Sequence, residues 1–110
     1  MDVELLEGKE YIPDWNDNQK ESAPVMIPLD PLTAGQRAVL LEKIFKDEEY
    51  IGYACKCAIR RKIENLSVAG VQIQTADQLL NSRGADLDIL ILDIGKEVIV
   101  LNKRPDLKNS

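Results

Sequence analysis

Leu87-Asp88-Ile89-Leu90-Ile91-Leu92-Asp93-Ile94-Gly95-Lys96-Glu97-Val98-Ile99-Val100-Leu101 decides the fold, because it can be read in two ways. Leu87, Leu90, Ile91, Ile94, Val98 and Leu101 fall at i, i+3, i+4, i+7, i+11 and i+14, the spacing of one helical face. Yet Ile89, Ile91, Ile94, Val98, Ile99 and Val100 favour strands. Asp88–Ile94 and Glu97–Asn102 can therefore pair as a hairpin turning at Gly95-Lys96. Propensity alone tilts slightly to the hairpin. Charge tilts the other way: Asp86 and Asp88 near the start, with Lys103 and Arg104 near the end, complement the dipole of one long helix.

Upstream, helical signals are stronger. Thr33 with Gln36 three residues on, and Thr75 with Gln78, have the form of capping boxes. The first opens a predicted helix over about 34–46, with Ala38, Leu41, Ile44 and Phe45 as its apolar stripe and Val39 and Leu40 widening it. The second opens a short helix from Ala76 to Asn81. Between them a further helix is predicted. Asp47, Glu48 and Glu49 crowd its start and Lys56, Arg60, Arg61 and Lys62 its end. Its apolar face is Ile51, Ala54, Cys55, Ala58, Ile59 and Ile63. Leu66–Ile73 reads as two very short strands turning at Ala69-Gly70.

The N-terminal part is different. Val3-Glu4-Leu5-Leu6 and Glu10-Tyr11-Ile12 are predicted to pair as a hairpin around Glu7-Gly8-Lys9, with Pro13 ending the second strand. Residues 14–22 read as a polar loop carrying Trp15, and Pro24–Leu29 as an extended edge segment, since Pro24, Pro28 and Pro31 forbid a helix interior. The expectation is an α+β fold: a mainly helical body with a short N-terminal antiparallel β hairpin or strand region. It forms a single domain over 1–110: an acidic β-like segment (1–32), the helical body (33–104) and a polar tail (105–110).

The chain has 110 residues, 45% of them apolar, enough for one core without metal or disulfide staples. Fourteen basic and 19 acidic residues leave a net charge of −5. Residues 1–22 hold seven acids and two bases; residues 23–110 hold twelve of each. The whole net charge thus sits in the first fifth, where it can oppose self-association or meet a basic partner. Such a balance argues against a phosphate-neutralising protein, so no nucleic acid is expected as a partner.

Histidine is absent, which removes the usual general base and the commonest transition-metal ligand. No phosphate loop, dinucleotide fingerprint, nucleophile elbow or C-x-x-C is found. No apolar run is long enough to span a membrane, and the acidic start is unlike a signal peptide. The chain is expected to be cytosolic and not an enzyme, with no catalytic, metal or cofactor-binding residues. Cys55 and Cys57 stand two apart on a helix, about 200° from each other, and read as reduced packing residues. Asp47-Glu48-Glu49 reads as a helix start, and the Lys56–Lys62 patch as a solvated helix end or a salt-bridging face for an acidic partner.

Pro31-Leu32-Thr33-Ala34 opening a helix, the stretch Asn65-Leu66-Ser67-Val68-Ala69-Gly70-Val71-Gln72-Ile73-Gln74-Thr75-Ala76-Asp77-Gln78-Leu79-Leu80, and the ending Lys108-Asn109-Ser110 have a familiar order. From residue 28 onward the chain resembles the small tail assembly chaperones of long-tailed bacteriophages and prophages. The resemblance implies a helix-rich, non-catalytic adaptor in the cytoplasm of the bacterial host. Its partners would be the tape measure protein, which such chaperones keep from aggregating, and the tail tube protein they recruit around it. It would be absent from the finished virion. A longer form made by ribosomal frameshifting would suit the polar tail. The resemblance also implies that Leu87–Leu101 is helical.

A helix-binding adaptor needs an apolar groove rimmed by charge. Ala54, Cys55, Ala58 and the excess aliphatics of 87–101 are candidates to line one. Ile89, Leu92, Ile99 and Val100 lie off the main stripe and are expected to be partly exposed, for a partner or for self-association. Trp15 either folds back on the core or stands exposed and marks a partner surface. Two other functions fit the same features: a structural or head–tail joining protein retained in the virion, and a small acidic regulator.

Overall fold

The computed structural model describes residues 1–102. The polar tail and the pair Lys103 and Arg104 lie outside the described residues. The fold is α+β, with two small antiparallel sheets and a helical body.

Leu87–Leu101 is one helix, α4. Leu87, Leu90, Ile94, Val98 and Leu101 are all buried along it, and Leu90, Ile94 and Val98 are sealed completely. Tertiary packing overrides strand propensity here because this stripe has a second helix to meet. Gly95 explains how close the two come. It sits buried in the helix interior, where an added Cβ would lie 2.9 Å from both Cδ1 and Cγ2 of Ile51. The glycine that could have made a hairpin turn instead lets Ile51 pack on the α4 backbone.

Ile51 belongs to α2, Tyr50–Ala58, whose Ala54, Cys55 and Ala58 are fully buried. This helix ends earlier than its apolar spacing predicts. Ile59 turns extended, and the Ala58 carbonyl accepts the Asp30 N–H at 2.9 Å. The next residues then join a sheet-like spine rather than another helical turn. Arg60, Arg61 and Lys62 therefore lie beyond the helix end they were expected to form, while Ile63 still reaches the core at 1% exposure.

α1, Ala34–Phe45, is closed at its start by the full capping box: Thr33 Oγ1 accepts from Gln36 N at 3.1 Å, and Gln36 Oε1 accepts from Thr33 N at 3.0 Å. Thr75 and Gln78 repeat the device at α3, Ala76–Leu80. Such a cap contributes about 1 kcal/mol, a substantial share of what holds a five-residue helix. α1 ends where Asp47 takes a left-handed φ of 56° and Glu48 N–H donates back to the Lys43 carbonyl.

β1, Lys9–Tyr11, is a strand as expected, but its partner is not Val3–Leu6. It pairs antiparallel with β2, Ile27–Leu29, in the register Lys9↔Leu29, Glu10↔Pro28 and Tyr11↔Ile27. The reason is burial. All three residues of β2 are sealed in the core, whereas Val3 and Leu5 are 78% and 92% exposed. Long-range pairing thus buries an apolar strand that a local hairpin would have left outside. Met26 and Glu64 exchange both backbone bonds, at 3.1 and 3.0 Å, carrying the spine to the next segment. There β3, Ser67–Val68, and β4, Val71–Gln72, form the expected small hairpin. Ala69 and Gly70 both have positive φ, 51° and 81°, as a two-residue turn matched to strand twist requires.

Residues 14–22 are less irregular than expected. Trp15–Lys20 forms a kinked 3-10 helix fixed by Asn18, the single buried polar residue among those described. Its side chain donates to the Pro13 and Val25 carbonyls at 2.8 and 3.0 Å and accepts from Val25 N at 2.7 Å.

Candidate functional site

α4 presents two faces. The inner one is the core stripe. On the outer one Ile89 is 50%, Leu92 41% and Val100 46% exposed, and Ile99 is half-buried against the core. Four aliphatics thus border one side of a fifteen-residue helix, with Lys96 exposed between them. Acidic groups lie along the same helix at Asp88, Asp93 and Glu97, the last held by Lys9 in an ion pair. Asp93, Glu97 and Asp14 also reach Tyr11: partial burial first, then these charges, raise its phenol above the usual value.

Trp15 takes the first of its two alternatives. It folds back on the core, and its indole N–H donates to the Asp86 carbonyl at 2.9 Å, joining the 3-10 helix to the start of α4. It is therefore half-buried at one end of α4 rather than projecting as an isolated anchor. A shallow cleft of about 310 Å³ runs beside it, lined by Asn16, Asn18, Glu21, Ala23, Val25 and Asn65 among others.

Ala54, Cys55 and Ala58 do not line a groove. All three are sealed at the contact with α4. Burial pushes the Cys55 thiol up to about 12, so at neutral pH it is an uncharged packing group, with its sulfur 3.6 Å from the Ile91 carbonyl oxygen. Cys57 is half-buried and also unbridged. Among the described residues, no three Cys, Asp or Glu side chains converge as a metal site. The basic residues after α2 border a cleft of about 260 Å³ with Ile59, Gln74 and Thr75. Arg61 is tied to Asp30 at 3.0 Å and Lys56 lies 4.0 Å from Asp77, both on the surface, where such pairs contribute little.

The largest apolar exposure on a helix lies where a core stripe was predicted. Of α1, only Leu40 is buried. Leu41 is 69% and Phe45 90% exposed, with Val39 at 40% and Ile44 at 38%. α1 therefore touches the body through a narrow strip and turns its larger apolar side chains outward. A signal for this exists in the sequence: Ala34, Ala38, Leu41 and Phe45 fall at i, i+4, i+7 and i+11, the spacing of a seam between paired helices. None of the described helices is long and apolar enough to cross a membrane. Compared with family models, curated proteins and solved structures, the chain matches none.

Proposed function

We propose that this chain is a non-catalytic tail assembly chaperone of a bacteriophage or prophage, acting in the host cytoplasm. It binds amphipathic helices of the tape measure protein and helps recruit tail tube subunits around them. The observation that carries this reading is the outer face of α4, where Ile89, Leu92 and Val100 stay exposed on a well-packed helix. A row of aliphatics on a rigid helix offers the apolar contact that helix-in-groove recognition uses. Exposed aliphatics of this kind mark interaction surfaces in soluble chains. The resemblance carried by Pro31–Ala34 and Asn65–Leu80 supplies the partner class.

The test is co-expression with a phage tape measure protein, taken from a neighbouring gene if one encodes it. The tape measure protein should become soluble and co-elute with this chain on sizing. Leu92→Asp combined with Val100→Asp should abolish both effects while the circular dichroism of the chain is unchanged. No gain in solubility and no complex would sink the proposal. Stoichiometric presence of the chain in purified virions by mass spectrometry would replace it with a structural role.

A further inference from the structure

We infer that α1 pairs with α1 of a second copy, parallel and in register, through the seam Ala34, Ala38, Leu41 and Phe45. The inference rests on α1 alone and is independent of the function proposed for α4. The chain's single phenylalanine is 90% exposed and its seam neighbour Leu41 69%, on a helix whose opposite side is already docked through Leu40. The 4-3-4 spacing keeps all four residues on one line over three turns, about 18 Å.

Charge selects both the occupant and the direction. Arg37 immediately precedes the seam residue Ala38, and Glu42 immediately follows the seam residue Leu41. In a parallel in-register pair, a residue flanking the seam on one side faces the residue five positions on in the other helix. Arg37 of each copy thus meets Glu42 of the other, twice by symmetry. In an antiparallel pair Arg37 would lie nearest Arg37 and Glu42 nearest Glu42. Arg37 spends one guanidinium N–H on the Leu32 carbonyl at 2.7 Å and has further donors for a partner, and among the described residues Glu42 pairs with the exposed Lys46 at 2.7 Å, a surface contact that a second copy can share. A twelve-residue seam covers less than the ~800 Å² per partner of a standard stable interface, so the dimer is weak and fills only at high protein concentration.

Sedimentation equilibrium of the full chain across a wide concentration range tests this. A reversible monomer–dimer equilibrium is expected. Phe45→Glu and Leu41→Glu should each weaken it by about tenfold or more, since each puts a charge into the seam. Because both positions are exposed, helicity by circular dichroism should be retained. Arg37→Glu and Glu42→Arg should each weaken the dimer, and the two together should restore it. A chain that stays monomeric throughout overturns the inference, as does a dimer indifferent to Leu41 and Phe45. A dimer sensitive to the seam but not restored by the double exchange overturns the parallel register. Seating of an unrelated amphipathic peptide on α1 of a chain that never dimerises would assign the seam to a different partner.

Discussion

Asn18 shows how one polar side chain can hold a segment without regular pairing. Its amide meets three backbone groups, on Pro13 and Val25, and is 4% exposed. Those groups have no strand neighbour to satisfy them, so the amide does what a sheet ladder does elsewhere. Asn18→Ala leaves them buried and unpaired. The expected loss is about 2–4 kcal/mol by urea denaturation, more than one hydrogen bond because desolvated partners are left behind. Asn18→Asp should lose still more at neutral pH, since a carboxylate cannot donate and would face two carbonyl oxygens. Nothing in Asp14–Ser22 announced this role. The segment is polar and reads as a loop, and Asn18 matters only because β1 and β2 bring Pro13 and Val25 to it. Thr33 and Thr75 were legible for the opposite reason, since each cap is complete within four residues of sequence.

At the scale of elements, α4 separates pattern from propensity. Its period is helical and its composition is strand-like, and the period prevails because α2 offers a thin face of Ala54, Cys55 and Ala58 to pack against. Residues 92 and 94 discriminate the two readings in solution. In a hairpin they would share one face and cost similar amounts to truncate. On the helix Ile94 is sealed and Leu92 is 41% exposed. Ile94→Ala should cost about 2–5 kcal/mol. Leu92→Ala should change stability by no more than about 0.5 kcal/mol. Equal losses in urea titrations would contradict a helix in this register. The exposure of Ile89, Leu92 and Val100 followed from the same wheel and was legible in the sequence. The outward turn of α1 was less so, because Leu40 and the Leu41–Phe45 line are both apolar. The sequence pattern does not say which of two apolar sides meets the body.

For the whole molecule, the charge boundary and the folding boundary fall in different places. Charge divides the chain after residue 22, which suggests an acidic arm that can be removed from a self-sufficient helical body. The packing divides it near Gly8. There an added Cβ would lie 2.7 Å from the Leu29 carbonyl oxygen, so the chain enters the fold in close contact with β2. Before that point Met1, Val3 and Leu5 are exposed. After it β1 covers β2, Lys9 pairs with Glu97, Trp15 bonds to Asp86 and Asn18 secures Val25. Deleting residues 1–7 should therefore change stability by less than about 0.5 kcal/mol, despite removing three carboxylates. Deleting residues 1–22 strips the strand that pairs with β2, opening the sealed side chains of Ile27 and Leu29, and breaks the contact at the start of α4. The expected loss is comparable to the ~5–15 kcal/mol that holds a domain of this size folded. Thermal unfolding followed by circular dichroism should show a cooperative transition for the shorter deletion and a broad or absent one for the longer. A sharp, unshifted transition after removal of residues 1–22 would mean that the helices carry the core alone and that β1 and the 3-10 helix merely rest on it.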